Sequence, residues 1–161
     1  MAYKFRIGFG YDVHQLQEGK DFWLGGIKIN HTKGAVGHSD ADVLIHAICD
    51  ALLGAANLKD IGYHFPPSDN QYKGIDSKIL LKQVFKLIQE NRFKIGNIDA
   101  TIALQTPKIG KYIDEMTGTI AAILEIASED VSVKATTTEK LGFVGKEEGV
   151  AAYATVLIYR D

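Results

Sequence analysis

The sequence predicts an α+β domain, a mixed β-sheet with helices packed on one face. Three observations carry that prediction. Apolar residues alternate with period two at the start of the chain and again over 97–106. They recur at helical spacing in three separate stretches, 40–56, 77–93 and 111–127. The final segment, 149–159, is apolar nearly throughout, as expected of a strand in the middle of a sheet.

Residues 3–9 alternate Tyr3, Phe5, Ile7 and Phe9 with Lys4, Arg6 and Gly8, which reads as the opening strand. "FWLGGIKI" (22–29) reads as a hairpin with Gly25-Gly26 at its turn or at a bulge. "NHTKGAVGHSD" (30–40) reads as a loop. The helix that follows has Ser39 or Asp40 as its N-cap. Residues 57–76 are irregular, with Pro66-Pro67 and two glycines, and a loop of that length in a compact domain is usually functional or mobile. Leu80, Leu81, Val84, Leu87 and Ile88 mark the apolar face of the second helix. Ile98, Ala100, Ile102 and Leu104 mark the strand over 97–106. Pro107 then opens a loop into a third helix, whose Ile113, Met116, Ile120, Ile123 and Leu124 point inward. "VSVKATTT" (131–138) is a strand running into a polar turn. With 161 residues and no repeat, low-complexity tract or linker, the chain reads as one domain over 1–161.

Composition excludes several classes. Apolar content of 46% and charged content of 24% are those of a soluble globular protein. A net charge of −2 with dispersed basic residues leaves no nucleic-acid footprint. No stretch approaches the roughly 20 apolar residues of a membrane span. The chain enters a strand at once, without a signal or transit segment. Its single cysteine, Cys49, has no intrachain disulfide partner and reads as a small buried hydrophobe within a helix. The expected location is cytoplasmic.

Two constellations suggest chemistry. In "GFGYDVHQL" (8–16), Asp12 and His14 share a face if the strand continues, because residues two apart in a strand point the same way. His46 lies on the first helix in one stripe with Asp42 and Asp50, either of which could accept its second ring N–H. Two imidazoles and a carboxylate suit zinc with one open position. They also suit non-haem iron, although oxygenases of that type usually carry His-x-acid on a sheet with many more strands. The competing reading is a turn-capping Asp12 and a hydrogen-bonded helix histidine. In "KATTTEKLGFVG" (134–145), Thr136, Thr137 and Thr138 offer hydroxyls to phosphate. Glu139 could hold a hard cation, and Gly142 and Gly145 allow close backbone approach. The competing reading is a Thr-rich strand end with a solvated glutamate. His38 and Ser39 precede a helix N-terminus, which favours anions. His31 reads as a surface loop residue, and His64 lies in the long loop.

"GYDVH", "HSDADVLIHAICDALLGAANLKDIGYHFP", "DSKILL", "GNIDATIALQTPK" and "VKATTTEKLGFVGKEEGVAAYA" occur in one order and spacing across essentially the whole chain. Together they resemble the 2-C-methyl-D-erythritol 2,4-cyclodiphosphate synthase family of the non-mevalonate isoprenoid pathway. The resemblance implies a homotrimer with active sites between subunits, and a cytidine diphosphate substrate that cyclises with release of CMP. By position it implies Asp12, His14 and His46 as zinc ligands and Glu139 as the holder of a second divalent ion, Mg²⁺ or Mn²⁺. His38 and Thr137 match the positions that stabilise the transition state, with Ser39 and Thr138 beside them. Asp60, Ile61 and Gly62, then Phe65, Pro66, Pro67, Ser68 and Asp69, match the loop that grips the methylerythritol part. Leu104, Gln105, Thr106, Pro107, Lys108, Ile109 and Gly110, with Thr136, match the cytidine pocket supplied across the interface. Phe143 matches a residue lining the cavity on the trimer axis, where some bacterial members also carry an arginine. Lys146 stands at that position, keeping the charge without the bidentate fork. Pro67 stands where other members can have aspartate, which would stiffen the lid. Two rivals are a zinc hydrolase using metal-bound water and a trimeric binding protein whose zinc ties strand to helix.

Overall fold

The opening alternation continues well past Phe9. In a computed structural model that describes residues 4–160, strand β1 spans Phe5–Glu18; Tyr3 lies outside the described residues. β1 extends this far because it is paired on both sides. β7 (Gly149–Tyr159) runs antiparallel to it from Phe5 to Gln15, and β4 (Lys33–Val36) from Gln15 to Glu18. β4 falls inside the stretch 30–40 that sequence reads as a loop; its Gly34-Ala35 centre is too small to give an alternation signal. β2 (Phe22–Leu24) and β3 (Ile27–Ile29) form the expected hairpin, turning at Gly25-Gly26.

The main sheet has the order β4-β1-β7-β5-β6, so the apolar last strand is central, as its composition indicates. β5 (Lys94–Ala103) lies antiparallel to β7 but parallel to β6 (Val131–Thr136), which makes the sheet mixed. The crossover between those parallel strands is α4 (Ile113–Leu124), shorter than the 111–127 expected because a 3₁₀ turn at Gly110–Tyr112 precedes it. α1 (Val43–Ala55) sits between the sheet and α3 (Ser77–Glu90). Short helical turns α2 (Ile61–His64) and Asn70–Tyr72 punctuate the irregular 57–76 stretch, and α5 (Gly142–Gly145) follows the threonine run.

The N-cap of α1 is Asp42, not Ser39 or Asp40. Its buried carboxylate accepts from Ile45 N at 3.1 Å and from Gly25 N and Gly26 N at 2.9 and 2.7 Å, so one side chain caps the helix and holds the β2–β3 turn. The core lies between sheet and helices and includes Leu44, Ile48, Leu52, Leu81, Ile88, Ile98, Ile102 and Met116. Cys49 is fully buried within it. The other face of the sheet carries Phe5, Ile7, Phe9, Tyr11 and Val13, all exposed, with Ile7 at 68% and Phe9 at 65%. Among the described residues, no helix is long and apolar enough to cross a membrane.

Candidate metal centre

The even-numbered residues of β1 face α1. At Gly8 and Gly10 an added Cβ would lie 1.9 Å from the carbonyl oxygens of Ala51 and Ala47. Helix backbone therefore rests directly on strand backbone, an approach only glycine permits. That close seating carries His46, the residue before Ala47, to the next two inward positions of the strand, Asp12 and His14. The two glycines precede the site in sequence and show, in retrospect, where a helix must press.

Three donor atoms converge. Asp12 Oδ2 lies 2.9 Å from His14 Nε2 and 3.1 Å from His46 Nδ1, and the two ring nitrogens are 3.2 Å apart. Ligands on a tetrahedral ion with bonds of 2.0–2.1 Å stand about 3.3 Å from one another, so this triangle is close to the size a zinc-like ion requires. Among the described residues this is the one group of three or more His, Cys, Asp or Glu so arranged. His14 Nδ1 donates to Val36 O at 3.0 Å, which leaves Nε2 bare for a metal. β4 thus provides the outer partner of one candidate ligand.

Helical spacing makes Asp42 or Asp50 the expected outer partner of His46; neither serves. Asp42 is committed to its cap and the β2–β3 turn, and Asp50 accepts from Ile61 N at 2.8 Å. His46 Nε2 instead meets Ser77 Oγ at 2.8 Å and Ser39 Oγ at 3.1 Å. Ser77 lies at the start of α3, far away in sequence, so no local spacing pointed to it.

The electrostatics follow from crowding. Burial alone would raise the Asp12 carboxyl, but hydrogen bonds and charge from His14 and His46 outweigh it and hold it at about 2. Burial would lower His14, but the bonded Asp12 carboxylate reverses the sign and raises it. Burial pushes the Cys49 thiol well up, with Asp50 and Asp42 adding to it, so it remains an inert thiol.

The triangle opens into a cavity of about 180 Å³. Its polar side is His14, His38, Ser39 and His46; its apolar side is Ile61, Gly62, Phe65, Pro67, Tyr72, Ile75 and Leu80. His38 Nε2 is buried there without a hydrogen-bond partner. Of the expected lid residues, Ile61, Gly62, Phe65 and Pro67 line this wall. Asp60 and Asp69 use their carboxylates to cap local turns, through Tyr63 N at 2.8 Å and Gln71 N at 3.0 Å, and Pro66 and Ser68 lie outside the lining. Tyr72 and Ile75 carry no signal in the sequence that marks them for this wall, and Leu80 reads there only as core. His64 Nε2 is bonded to Leu58 O at 2.7 Å and is not in the cavity wall.

The second constellation forms at the ends of β5 and β6. Leu104 N bonds Thr136 O at 2.9 Å, and Gln105 Oε1 accepts from Lys140 N at 3.2 Å. Thr137 Oγ1 lies 3.3 Å from both Glu139 Oε1 and Glu139 N. Glu139 and Lys140 have φ of 53 and 64°, a tight left-handed turn. Thr106 to Gly110 continue the loop after β5, with a cis Thr106–Pro107 bond; Phe143 lies in α5, and Lys146 caps it. Register places both constellations at one end of the sheet: Asp12 opposes Ala152, which opposes Ile102, which opposes Ala135. Yet β7 and β5 lie between, and three strand spacings amount to about 14 Å. One chain does not bring Asp12 and Thr136–Glu139 onto a single small group.

Residues 5–159 match the YgbB family. A relative from Bacteroides thetaiotaomicron named 2-C-methyl-D-erythritol 2,4-cyclodiphosphate synthase is 61% identical over 158 residues, 98% of this chain and 99% of that one. Among solved structures, the bifunctional IspDF from Campylobacter jejuni superposes with a TM-score of 0.95 at 40% identity, over 99% of this chain and 43% of that one. The Plasmodium falciparum IspF in complex with CDP superposes at 0.87 and 35% identity, over 99% of both chains.

Proposed function

The chain belongs to the YgbB family of 2-C-methyl-D-erythritol 2,4-cyclodiphosphate synthases, and from that premise we propose that the cluster Asp12, His14 and His46 is the metal half of its active site. It is a cyclising, CMP-releasing lyase of isoprenoid biosynthesis. Its substrate is 4-diphosphocytidyl-2-C-methyl-D-erythritol 2-phosphate, and the product is the 2,4-cyclodiphosphate. The observation that carries this reading is the donor triangle, with edges of 2.9–3.2 Å, two of whose members, His14 and His46, also line a cavity with His38 and a set of apolar side chains.

The donor set fits zinc: two imidazole nitrogens and one carboxylate would hold it, and His14 and His46 also line the cavity. When bound, the ion supplies a Lewis acid that withdraws charge from a phosphate oxygen. Glu139 would hold a second divalent ion, Mg²⁺ or Mn²⁺, against the diphosphate. The residues of the chain perform the rest. The substrate carries its own nucleophile, the 2-phosphate oxygen, which attacks the β-phosphorus in line as CMP leaves. No protein nucleophile is required, and Cys49 is fully buried and not part of the cavity wall. His38, with its unpartnered Nε2 in the cavity, is positioned to bond a phosphate oxygen whose charge grows in the transition state. Thr137 would do the same from the other half-site. Ile61, Phe65, Pro67 and Tyr72 hold the methylerythritol carbons and keep out water that would otherwise hydrolyse the diphosphate. Alignment of this kind can contribute about 7–11 kcal/mol in intramolecular reactions. Leu104 to Gly110, with Lys108, would receive the cytidine.

The three strand spacings between the half-sites, about 14 Å, support a homotrimer in which a neighbouring subunit completes each site. Its contact face would be the exposed apolar side of β1 and β7. Feeding the cytidyl substrate and identifying the product by phosphorus NMR tests the reading. A cyclic diphosphate is expected; a linear hydrolysed product favours a zinc hydrolase. A chain that stays folded but inactive after chelation supports a catalytic ion, whereas unfolding on chelation indicates a structural one.

A further inference from the structure

We infer that Ser77 and Asp40 form a positioning relay behind His46 that fixes which of its ring nitrogens faces the metal, an inference that rests on the metal site proposed above. Ser77 Oγ has one hydrogen, and it lies within bonding distance of two groups, His46 Nε2 at 2.8 Å and Asp40 Oδ1. Asp40 already accepts from Ser77 N at 2.9 Å and Asp42 N at 3.2 Å, so its oxygens act as acceptors. The contact between Ser77 Oγ and Asp40 therefore uses the serine hydrogen. Ser77 Oγ can then only accept from His46, and the 2.8 Å contact is a hydrogen bond only if Nε2 carries the ring proton. The ring is left with Nδ1 bare, the nitrogen that faces Asp12 and His14.

The pressure in the other direction is real. Asp12 Oδ2, 3.1 Å from His46 Nδ1, would hold a proton on that nitrogen if nothing opposed it. Ser39 Oγ, 3.1 Å from Nε2, accepts from Ala41 N and keeps its own hydrogen; donating it to a bare Nε2 would leave Ser77 Oγ and Nε2 facing each other as two acceptors at 2.8 Å, so the shorter contact decides the tautomer. The relay is built to be rigid. Ser77 is fully buried, and the backbone on either side is stitched by Asp40 N to Ile75 O at 3.1 Å and Gly74 N to His38 O at 2.7 Å. The strap that carries His38 and Ser39 is thereby joined to the end of the lid segment and to the start of α3. Ser77 and Asp40 are positioning residues: they act through His46.

Nitrogen-15 NMR of the imidazoles in metal-free protein at alkaline pH reads the relay without activity and without a variant. His46 protonated on Nε2 is expected; a neutral ring protonated on Nδ1 overturns the inference. Ser77→Ala removes the acceptor. Asp40→Asn keeps the shape but can turn a donor toward Ser77 Oγ, releasing the serine hydrogen to His46 Nε2. Both should shift His46 toward the Nδ1–H form and weaken zinc in a chelator competition by about 10–100-fold, the usual effect of losing an outer partner. Variants that fold, keep Nε2–H and bind zinc within about twofold of wild type would overturn the relay. If wild-type protein itself takes up no zinc, the metal-site reading fails instead, and the NMR result stands apart from it.

Discussion

Asp12 and His14 each stabilise the folded metal-free chain, but in different parts of the pH range. The Asp12 carboxyl is lowered from 3.8 to about 2, so its contribution is complete above 3.8 and disappears as pH falls through 2. With the side chain 26% exposed, the shift is worth about 2 kcal/mol. His14 is raised above 6.5, so its contribution is complete below 6.5 and is lost as pH rises through the folded value. Metal-free protein should therefore resist denaturant best between about pH 4 and 6.5, as urea titrations across that range would show. Metal binding makes the opposite demand on His14, which must be neutral to ligate. Zinc affinity should start to fall at a pH above 6.5 as the solution is acidified, because the proton on His14 is held by Asp12. Isothermal titration at a series of pH values checks this; a midpoint below 6.5 would contradict it.

Among the elements, the contact of β1 with α1 decides whether the site exists. Gly8 and Gly10 face the backbone carbonyls of Ala51 and Ala47, with no side chain between. Gly10→Ala would force helix and strand apart at the turn that carries His46. Overpacking against backbone costs about 1–3 kcal/mol, and the upper end is expected here because a carbonyl cannot rotate away. The same substitution should weaken zinc binding, since His46 moves with the helix while Asp12 and His14 stay on the strand. Thermal melts and chelator competition on Gly10→Ala test both effects, and Val13→Ala, on the opposite face, is the control that should leave zinc binding unchanged. β4 and the Asp42 cap illustrate what an element can do without a sequence pattern. Four residues supply Val36 O to His14, and one carboxylate joins α1 to the β2–β3 turn.

Taken as a whole molecule, the chain leaves one sheet half uncovered. Phe5, Ile7, Phe9, Tyr11 and Val13 of β1 adjoin Tyr153 and Tyr159 of β7. The β5–β6 half of the same face is polar, with Asn97, Asp99, Thr101, Ser132 and Lys134 and an ion pair between Lys134 and Asp99. A contiguous apolar patch on that scale marks an interaction surface. If the proposed trimer forms through this patch, wild-type protein should sediment as a trimer, and Phe9→Asp should sediment as a monomer and lose turnover while far-ultraviolet dichroism stays native. Complementation gives the sharper result: Asp12→Asn and Glu139→Gln, each inactive alone, should regain about a quarter of wild-type activity per site when dissociated and mixed, as random assembly of shared sites requires. Mixtures that stay inactive would mean that each chain builds its own site.

Much of this architecture was legible in the residues. The helical and period-two repeats gave the helices, the central β7 and the inward faces of α3 and α4, because burial of an apolar stripe is a local, periodic demand. Asp12 and His14 could be placed on one face for the same reason. The partners of the ligands could not. Ser77 and Val36 reach the two imidazoles across 31 and 22 residues of chain, and nothing at those spacings repeats. The outward direction of Phe5, Ile7 and Phe9 was also hidden, since alternation defines two faces without saying which meets the helices. That choice was made by Gly8 and Gly10, whose missing side chains let α1 settle on the other face. Local periodicity therefore determined the elements and the candidate ligands, while long-range packing decided their partners and the face left for a neighbour, because contacts between distant segments leave no repeat in the sequence.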